Sequence, residues 1–322
     1  MSSSDHSKSK TLEFEIPMSM FGQRVDKVLG QLCEELSRSA IQSLLKQGLV
    51  LVDEETPKQK DKVFGGESVE ITVPNQDQGE WIPQDIPLEV VFEDEHLMVV
   101  NKTAGLVVHP GAGNYDGTLL NGLLFHYPEN RSLARGGIVH RLDKDTSGLM
   151  VIAKSETARL GLVEQLVDHS VEREYLALCY GRIISGNTVD EPIARDPHDR
   201  RRMAVNSMGK EAVTHYRVEE RFRYHTLVQV NLETGRTHQI RVHMNHLGFG
   251  LVGDPTYGRR LAIPGDCSPK LEVQLRGFKR QALHARKLAF VHPVTGLEHE
   301  FESSIPDDLA ALIEAAREDN LH

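Results

Sequence analysis

The stretch GIVHRLDKDTSGLMVIAKS, residues 137–155, joins a dense cluster of charges directly to an apolar run. Five ionisable residues stand at positions 140, 141, 143, 144 and 145, and the run GLMVIA follows at once. A short apolar run bounded by turn residues predicts a buried strand, so the charges lie in the loop before it. That loop is either a solvated turn or a means of presenting a carboxylate, such as Asp143, to a ligand.

Length and composition predict an ordinary soluble protein of two domains. The chain has 322 residues, of which 39% are hydrophobic and 26% charged, as in globular proteins generally. No apolar run approaches a membrane span, and residues 1–15 are predicted to form a disordered leader rather than a signal peptide. The widely spaced Cys33, Cys179 and Cys267 suggest neither a disulfide framework nor a zinc site, which favours the reducing cytoplasm.

Charge is distributed unevenly along the chain. The net charge is −10, yet residues 195–287 contain 18 Lys and Arg against 9 Asp and Glu. Residues 53–95 have the opposite balance, with 13 acidic and 3 basic residues. A concentrated positive region on an acidic protein is able to bind a polyanion, but a solvated basic loop explains the same charges equally well.

Residues 16–74 are predicted to form a small separate domain. RVDKVLGQLCEEL (24–36) and SRSAIQSLLKQG (37–48) have the apolar spacing of helices, and two short β-type segments follow. The polar residues 75–87 read as a linker. Residues 88–322 read as one α+β domain built on a mixed, largely antiparallel sheet with flanking helices.

Two kinds of chemistry are disfavoured. VHRLDKDTSG superficially resembles a kinase catalytic loop, but the sequence contains no Asp-Phe-Gly. Asp143 and Asp145 would share one face of a strand, and THQIRVHMNH offers His238, His243 and His246. Neither pattern has the spacing of a strong zinc motif.

A single carboxylate beside an arginine is sufficient for a reaction at C1′ of a nucleoside, because uracil is already a fair leaving group. Glycosidases, by contrast, usually need two carboxylates. The stretch ETGRTHQIRVHM (233–244) supplies Arg236 and Arg241 as partners for Asp143. If this stretch is a strand, Gln239 and Arg241 share one face.

The opening stretch resembles the signature of the RluA family of pseudouridine synthases. Further stretches resemble the family in its order: NKTAGLVVHPGAGNYDGTLLNGLL (101–124), REYLALCYG (173–181), TGRTHQIRVHMNHLGFGLVGDPTYG (234–258) and RQALHARKLAFVHPVTG (280–296). The resemblance implies the pseudouridine synthase fold for residues 88–322. Residues 16–74 resemble an S4 RNA-binding domain, although the acidic LVDEE replaces the usual Val-Asn-Gly. An accessory helical module without a ligand is the alternative for this domain.

The resemblance also implies roles for individual residues. Asp143 matches the essential aspartate, Tyr175 the tyrosine that packs on the target uracil, and Arg241 the basic residue that pairs with the aspartate. Arg141 matches the arginine that fills the space left by a flipped nucleotide. Other residues in the matching motifs are expected to contact RNA: Lys102, His109 and Arg236 in the second domain, and Arg24, Arg38 and Lys46 in the first.

The function implied by the resemblance is isomerisation of uridine to pseudouridine in RNA. The most similar branch of the family modifies the helix 69 stem-loop of large-subunit (23S) ribosomal RNA, so ribosomal RNA or the large ribosomal subunit is the expected partner. The family implies no metal, nucleotide or organic cofactor, and a monomer is expected. Three alternatives stay open: a non-catalytic ribosome-assembly or RNA-binding factor, a synthase for another rRNA or tRNA site, and a uracil-releasing glycosylase.

Overall fold

The computed structural model describes residues 10–33, 36, 38–73, 81–111, 113–199, 201–258 and 262–321. The chain divides into two compact units between Glu80 and Trp81. The second unit therefore begins before the predicted residue 88. Residues 81–87, predicted as linker, belong to it, and Trp81 packs against its core. The rest of the predicted linker, residues 75–80, lies outside the described residues.

The first unit is a three-stranded antiparallel sheet with two helices. Its elements are β1 (Lys10–Glu15), α1 (Val25–Leu32), α2 (Arg38–Lys46), β2 (Val50–Val52) and β3 (Ser68–Val73). The strand order is β1-β3-β2. The prediction of a disordered leader is wrong for residues 10–15, because β1 pairs with β3 along its whole length and packs Leu12 and Phe14 against the core. Residues 1–9 of that leader lie outside the described residues.

The second unit contains the remaining strands and helices. Its strands are β4 (Val90–Glu93), β5 (Leu97–Lys102), β6 (Ser147–Ala153), β7 (Glu172–Tyr180), β8 (Asn187–Asp190), β9 (Ile193–Arg195), β10 (Met203–Val205), β11 (Val213–Arg221), β12 (His225–Leu232), β13 (Leu283–Val291) and β14 (Glu298–Glu302). Its helices are α3 (Leu119–His126), α4 (Glu156–Val167), α5 (Gln239–His246), α6 (Pro269–Gly277) and α7 (Asp307–Glu318). None of these described helices is long and apolar enough to cross a membrane.

Nine of these strands form one mixed sheet. The order is β4-β5-β6-β13-β7-β12-β11-β8, and β14 pairs with β13. Among the described strands, β6 and β13 run parallel and every other neighbouring pair is antiparallel. The predicted α+β fold with a mixed, largely antiparallel sheet is confirmed. β9 and β10 form a separate hairpin that carries part of the basic region.

Strand β7 is buried on both faces of the sheet. Its side chains alternate between two apolar clusters, as the period of a strand requires. Tyr175, Ala177 and Cys179 pack in the cluster that includes α5, whereas Leu176 and Leu178 pack in the cluster that includes α6 and α7. The alternation therefore places Tyr175 on the same side of the sheet as α5.

The interpretation of residues 233–244 as a strand is wrong, because β12 ends at Leu232 and the chain becomes helical at Gln239. Helix α5 begins there, after His238 adopts the left-handed conformation with φ of 58°. The Gln239 side chain stabilises this start, because it accepts hydrogen bonds from Arg236 N–H and Thr234 Oγ1 and donates to Val213 O. Gln239 and Arg241 therefore point in different directions.

Gly148 should be intolerant of a side chain because β6 and β13 approach closely there. Its φ is +117°, and a Cβ would lie 2.2 Å from Ala285 O. We expect Gly148→Ala to lower the free energy of unfolding by about 3 kcal/mol. Gly296→Ala is the control, because Gly296 has a φ of +72° but open space around it. It should cost about 1 kcal/mol. Urea unfolding measures both, and equal losses would contradict the close-approach argument.

Candidate active site

A cavity of about 290 Å³ lies in the second unit. The loop 139–146 before β6, the beginning of β7 and residues 235–241 supply most of its lining. Asp143, Tyr175 and Arg241, which the sequence singled out, all line it. The fold thus brings together three side chains from widely separated parts of the chain.

Arg241 connects two carboxylates in this cavity wall. Its Nη1 donates to Asp143 Oδ2 at 2.9 Å, while Nε and Nη2 donate to Asp254 Oδ2 and Oδ1 at 2.7 and 2.9 Å. Arg241 is only 5% exposed and the Asp254 side chain is fully buried, whereas 15% of the Asp143 side chain is exposed. Of the two carboxylates, Asp143 is thus the one that a ligand in the cavity can reach.

Asp254 has a structural role that sequence reasoning missed. Burial opposes its ionisation, but the ion pair with Arg241 and the N–H groups of Tyr257 and Thr256 more than offset this, so its pKa is lowered. Burial also opposes the charge of Arg241, yet Asp254 and Asp143 together raise the pKa of the guanidinium. The only sequence signal was its place in the quoted stretch 234–258, which gave no hint of this contact.

His238 and Tyr257 form a second contact behind Asp143. Tyr257 Oη accepts the Met203 N–H at 2.7 Å and lies 2.7 Å from His238 Nδ1. The other ring nitrogen, His238 Nε2, lies 3.8 Å from Asp143 Oδ1. Burial lowers the pKa of His238, against the influence of Asp143. The imidazole is therefore neutral at physiological pH.

Lys102 stabilises the loop before β6 and is not positioned to bind a ligand. It is 2% exposed, and its Nζ donates at 2.9 Å to the carbonyls of Thr103, Leu106 and Lys144. Burial lowers its pKa to about 7. The prediction that Lys102 contacts RNA is wrong, because its amine is enclosed by backbone carbonyls beneath the loop.

Tyr175 lies at the bottom of the site. It is 6% exposed and pairs with Val230 of β12 and Ala285 of β13. Burial raises the pKa of its hydroxyl, although the charge of Arg173 acts in the opposite direction. Its ring is therefore a neutral, fixed surface against which a planar base can pack.

The other predicted RNA contacts of this unit lie around the cavity. Arg141 is exposed and lines it, and Arg236 also lines it while donating from Nε to Glu211 O. His109 is half-buried, with its Nε2 enclosed and unpaired among the described residues. Burial, together with Arg135 and Arg141, lowers its pKa to about 4. His109 thus brings no positive charge to RNA at neutral pH.

In the first unit, Arg24 forms a bidentate ion pair with the buried Asp26, which explains the Arg-x-Asp pattern. Gln42 donates to the same carboxylate. Lys46 is exposed in the last turn of α2. Arg38 begins α2, but its side chain lies outside the described residues. RNA binding by Arg24, Arg38 and Lys46 stays a prediction.

Two of the histidines that raised the possibility of a metal site, His238 and His243, contact other groups of the protein. Both ring nitrogens of His243 have protein partners, Thr214 Oγ1 and Glu191 O, each at 2.9 Å. Within the described ranges, no group of three or more His, Cys, Asp or Glu side chains could bind a metal ion.

Residues 96–246 match the protein family described as RNA pseudouridylate synthase. Curated bacterial relatives named ribosomal large subunit pseudouridine synthase D match nearly the whole chain. The protein from Xanthomonas campestris is 51% identical over 318 residues, 99% of this chain and 96% of the relative. The Pseudomonas aeruginosa protein is 52% identical over 305 residues, 95% of each chain. The Escherichia coli K12 protein is 51% identical over 299 residues, 92% of each chain.

Solved structures agree with these sequence matches. Human RNA pseudouridylate synthase domain containing 4 superposes with a TM-score of 0.55 at 25% identity, covering 71% of this chain and 93% of that one. Human RNA pseudouridylate synthase domain containing 1 gives a TM-score of 0.54 at 27% identity, covering 72% of this chain and 89% of that one.

The chain belongs to the RluA family of RNA pseudouridine synthases and is such an enzyme. Its similarity over nearly its full length is to the RluD type.

Removing the second carboxylate should weaken both the fold and the site. Asp254→Asn leaves the buried Arg241 with one anionic partner, so the free energy of unfolding should fall by about 3 kcal/mol. Pseudouridine formation should fall as well, because Arg241, the partner of Asp143, is no longer held in place by Asp254. Asp266→Asn removes an exposed partner of Arg223 and is the control. Urea unfolding and tritium release from 5-tritiated uridine in RNA measure the two effects, and unchanged values for Asp254→Asn would contradict this structural role.

His140 should make the protein less stable in acid. Its Nε2 accepts the Val151 N–H at 3.0 Å, and burial, aided by Arg173, lowers its pKa from 6.5 to about 3. Between these values the unfolded chain binds a proton that the folded protein does not, so stability is lost as pH falls. His140→Gln should reduce this loss by up to about 1.4 kcal/mol per pH unit. Unfolding measured at pH 4.5, 5.5 and 6.5 tests this, and an unchanged slope would refute it.

Proposed function

We propose that this enzyme isomerises uridine in large-subunit ribosomal RNA, with Asp143 as the essential carboxylate. The observation that supports this most directly is the convergence of Asp143, Arg241 and Tyr175 in one cavity. The substrate class is taken from the names of relatives that are about half identical over nearly the whole chain.

The reaction requires the target uridine to leave its stack and enter the cavity. Flipping costs a few kcal/mol and is cheapest in loops and at mismatches. Tyr175 provides a surface for the uracil, and Asp143 faces C1′ while Arg241 fixes its orientation. The bond between C1′ and N1 breaks, the uracil turns, C5 bonds to C1′, and loss of the C5 proton together with protonation of N1 completes the isomerisation. Asp143 acts either as a nucleophile at C1′ or as a carboxylate that promotes formation of a glycal-like species.

Basic residues around the cavity are proposed to bind the RNA backbone. Arg141 and Arg236 line its wall, and Arg135 lies beside them with an exposed side chain. Arg141 is proposed to fill the space that the flipped nucleotide leaves. Because phosphate contacts release counterions, affinity should fall steeply with salt.

The finer substrate assignment is also a proposal. We infer that the target is the helix 69 stem-loop and that the first unit is an S4-type RNA-binding domain. The exposed Lys46 and half-exposed Arg24 support RNA binding by that unit. Action as a cytoplasmic monomer without a cofactor remains part of the same proposal.

The central test uses Asp143→Asn and large-subunit RNA containing uridine tritiated at C5, both free and in assembled subunits. Because C5 must lose its hydrogen, the wild type should release tritium and Asp143→Asn should be slower by roughly 10⁴-fold. Asp145→Asn is a matched control from the same loop and should remain active.

The alternatives give different results in this assay. Tight binding without tritium release by the wild type would favour a ribosome-assembly factor. Free uracil and a mass loss in the RNA would indicate a glycosylase, since isomerisation leaves the mass unchanged. Pseudouridines mapped outside helix 69, or in tRNA, would refute the finer assignment while leaving the chemistry intact.

A further inference from the structure

Arg173 at the beginning of β7 is a buried cation that has no anionic partner among the described residues. It is 7% exposed and lines the cavity. Its Nη2 donates to Leu232 O at 3.3 Å and Glu233 O at 2.7 Å. Nε is buried without a partner, and among the described residues Nη1 donates no hydrogen bond. Two backbone carbonyls therefore satisfy only one end of a guanidinium that is removed from water.

The other buried arginines in the described part of the chain have carboxylate partners. Arg241 has Asp143 and Asp254, and Arg280 forms a bidentate pair with Asp308. No carboxylate of the described residues lies within ion-pair distance of Arg173. An unneutralised buried charge is costly. Binding of a substrate that develops negative charge beside Arg173 would offset this cost.

The Nη1 side of Arg173 lies next to Gly235 in the wall of the cavity. A Cβ at Gly235, which also lines the cavity, would come within 3.0 Å of Nη1. Arg173 and Tyr175 are two residues apart on β7 and so share a face. Burial lowers the pKa of the Arg173 guanidinium, while its charge lowers the pKa of Tyr175 against the effect of burial. The cation thus lies beside Tyr175 and lines the same cavity as Asp143.

We propose that Arg173 is a further catalytic residue that stabilises the uracil anion formed when the glycosidic bond breaks. This inference rests on the proposed roles of Asp143 and Tyr175. When the C1′–N1 bond breaks, its electron pair stays on N1 and is delocalised onto O2 and O4 of the uracil. Nη1–H of Arg173 donates to one of these carbonyl oxygens. C5 then bonds to C1′ with an electron pair of the anion, which gives a neutral base that still carries the C5 hydrogen. Transfer of the C5 proton to a base and protonation of N1 complete the isomerisation.

The test compares two RNAs that differ only in having uridine or 5-fluorouridine at the target. Fluorine withdraws electrons and stabilises the departing anion, so the fluorinated base depends less on Arg173. In single turnovers with saturating enzyme, Arg173→Gln should slow uridine conversion by about 100-fold, as loss of one oxyanion donor does, and 5-fluorouridine consumption by less than about 10-fold. Arg173→Lys, which keeps the charge, should give intermediate values. Consumption of the target is measured as the loss of intact uridine or 5-fluorouridine after the RNA is digested to nucleosides.

The ratio of the two rates within one preparation is independent of the folded fraction, so a folding defect in Arg173→Gln does not obscure the answer. Arg236→Gln is the matched control, because it removes another cavity arginine and should slow both RNAs by the same factor. Equal slowing of both RNAs by Arg173→Gln would overturn the proposed role and leave a structural one. A wild type that converts neither RNA would instead overturn the proposed function on which this inference rests.

Discussion

The ion pairs of Arg241 with Asp143 and Asp254 are the interaction on which the site depends. A buried guanidinium is stable only when its donors are satisfied and its charge is neutralised. Asp254 does most of this with two hydrogen bonds and is itself fixed by the N–H groups of Thr256 and Tyr257. Asp143 completes the arrangement with one oxygen, so its second oxygen is available to a ligand. Asp254, in the turn after α5, therefore fixes the orientation of the Asp143 carboxylate through Arg241.

Buried side chains donate hydrogen bonds to the charged loop before β6 and hold it in position. Lys102 donates to Lys144 O from below, Arg280 donates to Asp145 O, and Gln281 donates to Thr146 Oγ1. Lys102 and Arg280 therefore stabilise the loop and are not among the residues that line the cavity. The basic residues near Asp143 are therefore of two kinds: those that support the loop, such as Lys102, and those that line the cavity, such as Arg141.

Both faces of β7 are buried, and the two faces have different roles. One face packs against α6 and α7 and stabilises the sheet. The other presents Arg173 and Tyr175 to the cavity opposite α5. In this mixed sheet β13 lies between β6 and β7, parallel to β6 and antiparallel to β7. The loop that precedes β6 can therefore place Asp143 beside residues about thirty and a hundred positions further along the chain.

The sequence alone determined the fold class, the enzyme family and the cluster of Asp143, Tyr175 and Arg241, because long motifs and strand periodicity are local properties. The tertiary structure decided what local patterns leave ambiguous. QIRVHMNH is compatible with strand or helix, and the Gln239 contacts to Val213 and Thr234 favour the helix. The three-dimensional arrangement decides that Lys102 is buried and that Asp254 pairs with Arg241. It also decides that Arg173 has no carboxylate partner among the described residues. Desolvation and charge neutralisation are set by those distant neighbours, which no spacing in the sequence records.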